Sequence, residues 1–228
     1  MEQNKTGYLL IVLAVFFYSI QGLCIKLLPP NFRVWDIIFY RLGGGLLLLF
    51  ILSPLFSQRI SSPTKDITLF FRGITGTVAF SSLVLSIRHL PFSTAIFLFY
   101  SFPIFSALFS YLLFQEKIDK HGLICLFVIL IGVFFIFGFS FEGNSFWKLI
   151  ALNSALFAGL TISLIRKLRN FNTVTVYFSF CLIGTFLCLY PFMLSYQLPV
   201  NIIEFSFLFL ISTLSLIGQL LLAVASYS

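Results

Sequence analysis

The residues of this sequence able to do chemistry are polar side chains set inside long apolar runs. Arg41 is the strongest of them, in the run FYRLGGGLLLL. A guanidinium there can meet a carboxylate or phosphate through paired hydrogen bonds. A structural role, with the side chain reaching outward or meeting a helix end, fits it at least as well. Tyr18, Gln21, Ser81 with Ser82, Tyr100, Asn153 and Gln219 lie inside other runs. Unsatisfied polar groups are costly in hydrocarbon, so the set is a candidate lining for a cavity that holds a polar solute. Taken singly, each is better explained as a hydrogen bond between helices.

A second pair stands in SFPIFSALFSYLLFQEKI, residues 101–118. Pro103 cannot donate to the carbonyl of Phe99, so a helix there can kink or open. Glu116 follows 13 residues later, roughly 20 Å along a helix axis at 1.5 Å per residue. That places it at a membrane surface beside Lys117 and Lys120. Pro103 is expected to shape a cavity. Glu116 is balanced between an inner gate and an ordinary interfacial acid.

Catalytic constellations are missing from the sequence. It has no phosphate-binding Gly-Lys loop, no HExxH, no paired acids and no Ser-His arrangement inside an apolar run. An enzyme is not expected, nor a cofactor or metal. Cys24, Cys125, Cys181 and Cys188 form no CxxC and read as buried thiols. His89 and His121 fall at the ends of runs and read as interfacial or loop residues.

The elements that must position these groups follow from composition. Of 228 residues, 60% are hydrophobic and 9% charged, where a soluble domain carries about 25% charged. Apolar runs near 20 residues recur along the whole chain, each long enough to cross a hydrocarbon core. Eight spans are predicted: Gly7–Leu27, Trp35–Leu55, Leu69–Ile87, Ser93–Phe114, Gly122–Phe139, Trp147–Leu168, Val174–Leu194 and Phe205–Ser228. The chain is therefore expected to be an all-α polytopic membrane protein. Its net charge of +7 lies in short loops and not along a stripe, which argues for membrane topology and against nucleic acid. With the N-terminus inside, Lys5, Arg59, Lys65, Arg72, Lys117, Lys120, Arg166, Lys167 and Arg169 face the cytoplasm. Lys26, Arg33, Arg88 and Lys148 face out. The excess favours a cytoplasmic N-terminus.

Two segments repeat weakly. LLIVLAVFFYSIQGLCIKLL (9–28) overlays LIALNSALFAGLTISLIRKL (149–168) without a gap. DITLFFRGITGTVAFSSLVLSIRHL (66–90) overlays EFSFLFLISTLSLIGQLLLAVASYS (204–228), each beginning with an acid and carrying a small or polar knot late in the helix, Ser81-Ser82 and Gly218-Gln219. The first unit, 7–139, then holds five helices, and the second, 145–228, three. Five is odd, so the second unit starts from the opposite side of the membrane, an inverted repeat with an incomplete second copy.

The block FRGITGTVAFSSLVLSIRHLPFSTAIFLFYSFPIFSALFSYLLFQEK (71–117), with Arg41 early in the second helix, resembles the EamA-type family of the drug/metabolite transporter superfamily. The family's fourth helix has a proline inside it and a glutamate at its end, matched by Pro103 and Glu116. The resemblance implies a secondary transporter in the cytoplasmic membrane, moving a small organic metabolite by alternating access. The FRG…LP…P…E arrangement is similar to the subgroup that includes uptake carriers for adenosylmethionine-like metabolites. Family members usually have ten helices, and the last two have no counterpart in this sequence. The alternative expectation is thus a truncated, non-transporting remnant, or a subunit completed by a homodimer or by another chain.

Overall fold

The computed structural model describes residues 2–52, 66–115, 143–168, 171–194 and 196–227, with scattered positions between 122 and 135. Those residues form α1 (Glu2–Leu27), α2 (Val34–Leu52), α3 (Ile67–His89), α4 (Phe92–Phe99), α5 (Phe102–Phe114), α6 (Ser145–Lys167), α7 (Thr173–Met193) and α8 (Ile202–Tyr227). Seven spans among them are long and apolar enough to cross a membrane, α4 and α5 together making one, Phe92–Phe114. Each corresponds to an expected span within a few residues. The eighth, Gly122–Phe139, lies mostly outside the described residues, as does Cys125. Cys24, Cys181 and Cys188 are buried free thiols.

Short polar residues mark the helix starts. Asn144 accepts from Phe146 N at 2.9 Å, and Asn172 from Val174 N at 3.1 Å. These side chains satisfy backbone N–H groups that a helix N-terminus leaves open. Asp36, in the first turn of α2, reaches further. It accepts from Arg33 N at 2.8 Å and from Gln197 N at 3.3 Å, while Tyr40 donates to the Gln197 carbonyl at 2.9 Å. The connection from α7 to α8 is thereby pinned to α2. Asp36→Ala should lower stability by about 1–2 kcal/mol, and Tyr40→Phe by about 1 kcal/mol. Thermal unfolding in detergent checks both, and two unchanged midpoints would remove the pinning role.

Packing gives two compact units. One comprises residues 1–73 and 170–228, the other 74–169. In the first, α1 lies against α8, and α2 lies against α7 and α8. The glycines of α2 explain how closely. A Cβ at Gly44 would collide with Ser212 of α8, and one at Gly45 would fall 2.8 Å from the Tyr177 hydroxyl of α7. Small residues permit such approach between helices in lipid, where close packing drives association. Phe39 of α2 adds a stacked contact with Phe192 of α7, ring centroids 4.0 Å apart.

In the second unit, α6 lies against α4 and α5. The fourth span is broken near its proline. The helix stops at Phe99 and restarts at Phe102, so the break falls at Tyr100 and Ser101, just before Pro103. Pro103 then occupies the first turn of α5, where a missing N–H costs least. Ser101 bridges the break, its N–H and hydroxyl both donating to the Leu98 carbonyl at 3.2 and 2.6 Å. Gln115 ends α5 with a left-handed φ of 53°. Glu116 lies outside the described residues.

Candidate substrate site

The first unit gathers polar side chains from five helical segments. Arg41 comes from α2 and Arg72 from the start of α3, and both are buried. Their guanidinium carbons lie 5.7 Å and 4.4 Å from the centroid of one ring, that of Phe180 on α7. Tyr18, Tyr177 and Cys181 are within electrostatic reach of both cations. Tyr18 of α1 donates to Gln219 Oε1 of α8 at 3.0 Å. Gly218 makes room for that tyrosine, since a Cβ there would come within 3.0 Å of its ring. Tyr177 donates to Ser215 at 3.5 Å, and Gly45 clears space for Tyr177 and Cys181. Gln21, three residues beyond Tyr18, is buried, and its Nε2 has no hydrogen-bond partner among the described residues.

Depth follows from helix geometry. Arg41 is seven residues into α2, and Arg72 is five residues into α3, about 10 and 8 Å at 1.5 Å per residue. Consecutive spans cross in opposite senses, so the two arginines enter from opposite faces. A hydrocarbon core is about 30 Å thick, so the two depths bring both guanidiniums toward its middle. Insertion scales charge about 2.5–3.5 kcal/mol for each such arginine. The Phe180 face returns part of that through cation–π attraction. A forked cation of this kind binds carboxylate or phosphate through paired hydrogen bonds.

Arg41, Tyr18 and Gln219 were all legible as candidates, and the fold brings them into one unit with Gln21. Arg72, which the sequence places early in the span Leu69–Ile87 and on its cytoplasmic side, is buried, a feature the charge count does not reveal. Tyr177, Phe180 and Cys181 follow one face of α7 at helical spacing, but apolar residues and scattered hydroxyls surround the helix on all sides, so no face stands out in the sequence.

The profile of the EamA-like transporter family matches residues 5–138, more than half of the chain. The chain belongs to the EamA-like transporter family. It is a multi-pass membrane transporter. Two proteins of Pseudomonas aeruginosa strains named pseudopaline exporter are 28% identical to it, over 99% of this chain and 80% of their own length. An uncharacterized transporter of Helicobacter pylori is 28% identical over 72% of this chain and 56% of its own. A crystal structure of a protein 16% identical shares the fold, with a TM-score of 0.69 over 98% of this chain and 79% of that one.

The transporter's remaining candidates lie in the second unit. Asn153 of α6 donates to Ser82 of α3 at 3.0 Å. Ser81 turns back to the Thr77 carbonyl of its own helix at 2.7 Å. Thr161 of α6 donates to Thr75 of α3 at 3.0 Å. Tyr100 is half-buried at the α4–α5 break. Asn153 thus meets another helix's hydroxyl, the kind of bond membrane bundles use for association.

Proposed function

We propose that this transporter is a secondary carrier that moves a small organic metabolite across the cytoplasmic membrane by alternating access. The observation that carries the reading is the buried Arg41–Arg72 pair of the first unit, with Tyr18 in electrostatic reach of both and bonded to Gln219. Polar groups of that number inside an apolar bundle mark a solute path. Motion between the expected inverted repeats, 7–139 and 145–228, supplies the alternation. Within the second unit, Ser81, Tyr100 and Asn153 are candidate contacts for the solute, and the break before Pro103 gives backbone that can move. With Arg72 removed from the loop tally, eight cytoplasmic cations against four still favour an inside N-terminus. The Pseudomonas relatives are named for export, so outward movement is the direction to test first, ahead of uptake of an adenosylmethionine-like metabolite.

Proteoliposomes holding the purified chain and loaded with a metabolite extract test this. Mass spectrometry should find at least one solute leaving faster than from empty liposomes, and Arg41→Ala should slow its loss. If flux is unchanged in Arg41→Ala, Arg41 is not in the path. If no solute moves, the chain requires a partner, and crosslinking in membranes separates a homodimer from a different completing chain.

A further inference from the structure

We propose that Gln21 selects the solute: its side-chain amide nitrogen donates a hydrogen bond to a carbonyl, carboxylate or phosphoryl oxygen of the molecule the carrier moves. This rests on the carrier reading and assigns a specificity-determining residue to it. The starting observation is a buried donor without an acceptor. Gln21 is 3% exposed, and its Nε2 meets no hydrogen-bond partner among the described residues. Buried side-chain donors are mostly bonded, so one left open is explained by a group that arrives from outside the fold. Hydrocarbon offers no bulk water to relieve it.

The surroundings fit that role better than a bond between helices. Ala14, Gln21, Ile25 and Leu28 are buried at helical spacing along α1, and α1 lies against α8. Tyr18, one turn before Gln21 on the same face, donates to Gln219 Oε1 of α8 at 3.0 Å. Gly218 of α8 clears space for its ring. The side-chain acceptors of this stretch of α8 are engaged, Gln219 Oε1 by Tyr18 and Ser215 by Tyr177 at 3.5 Å. A glutamine that served to hold α1 to α8 would itself be bonded across the seam. Depth agrees with the assignment. Gln21 stands six residues before the end of α1, and Arg41 seven residues into α2, about 9 and 10 Å along their helices at 1.5 Å per residue. Residues 28–33 join those two helix ends, so both depths are measured from one membrane face. The open donor lies at the level of Arg41, where the carrier reading puts the solute. An amide donor needs a lone pair, whatever charge the molecule carries. A solute without an acceptor oxygen leaves Nε2 bare and is disfavoured.

The test compares the unaltered chain with Gln21→Met, which keeps an unbranched side chain and removes the amide. Each is purified in detergent, mixed with a metabolite extract and passed quickly through a desalting column. Mass spectrometry then identifies the small molecules retained. The unaltered chain should retain at least one that carries a carbonyl, carboxylate or phosphoryl oxygen. Gln21→Met should retain it about three- to tenfold less, the size of one neutral hydrogen bond. Without extract, the thermal midpoint of Gln21→Met should equal or exceed that of the unaltered chain, because the lost amide leaves no partner behind. Gln21→Leu replaces it if methionine does not fit. A midpoint lowered in both shows a bond within the fold and overturns the proposal. Equal retention by altered and unaltered chains overturns it too, with a water as the remaining acceptor, and so does retention of nothing above detergent alone. Loaded liposomes separate this from the carrier reading. Retention that depends on Gln21, without flux of that molecule, keeps the assignment and removes the carrier. Flux whose half-saturating concentration is unchanged in Gln21→Met keeps the carrier and removes Gln21 from its site.

Discussion

Gly159→Ala should destabilise the protein strongly. A Cβ at Gly159 of α6 would sit 2.6 Å from the backbone nitrogen of Ser106 and 2.8 Å from the backbone carbon of Phe105, both of α5. A flexible side chain could turn aside, but backbone cannot. The two helices would have to separate, and their shared polar contacts would go with them. Ser163, one turn beyond Gly159, donates to the Ser106 carbonyl at 3.0 Å and lies 3.3 Å from Ser110 Oγ. Arg166 Nη1 donates to Ser110 at 3.2 Å. The expected loss is about 3 kcal/mol, the upper end of overpacking costs. Ser163→Ala, which removes only hydroxyl bonds, should cost about 0.6 kcal/mol. Gly43→Ala is the control, since its Cβ would meet only a Thr185 methyl at 3.9 Å, and it should stay within about 0.5 kcal/mol. Thermal unfolding ranks the three. Gly159→Ala matching Gly43→Ala would mean that α5 and α6 do not approach as closely as described.

These residues also show what sequence can reveal. Ser106 and Ser110 stood out by their helical spacing, and small residues at that spacing mean close helix approach. That they face Gly159 and Ser163 is a fact of tertiary pairing, about 55 positions away, and no local pattern encodes it. The glycine run 43–45 posed a choice between flexibility and close contact, and Ser212 and Tyr177 decide for contact at Gly44 and Gly45. Apolar length located the seven spans because a bilayer imposes it on every span alike. The same uniformity hid the site. Hydrophobicity on all faces of α7 leaves Phe180 indistinguishable from the lipid-facing phenylalanines. The burial of Arg72 is not legible in the sequence, because a charge count goes by nearness to a helix end, while burial depends on what packs against the side chain. Ser81 and Gln219 correspond in the expected repeat, yet one bonds within its own helix and the other meets Tyr18, 201 residues away. A repeat aligns backbone positions, and side-chain partners are chosen afterwards.

Arg41→Ala and Arg72→Ala should each lower flux of the transported solute 10- to 100-fold, and the double variant should be little worse than either single one. Hydrogen bonds to a charged group contribute about 1.5–3 kcal/mol, which spans that range of rate. Sub-multiplicative loss is the expected signature of two groups acting on one bound molecule, because the second removal acts on a pose already lost. Independent sites would multiply, giving a double loss of at least about 100-fold. Lysine replacements separate charge from shape. Arg72→Lys keeps a cation over Phe180 but loses the planar fork, so flux should fall between the native chain and Arg72→Ala. Tyr18→Phe breaks only the bond to Gln219 and should change flux less than either alanine variant. Initial rates in liposomes, normalised to folded protein by size-exclusion profile, measure the whole series. A fully multiplicative double variant would divide the two arginines between separate tasks.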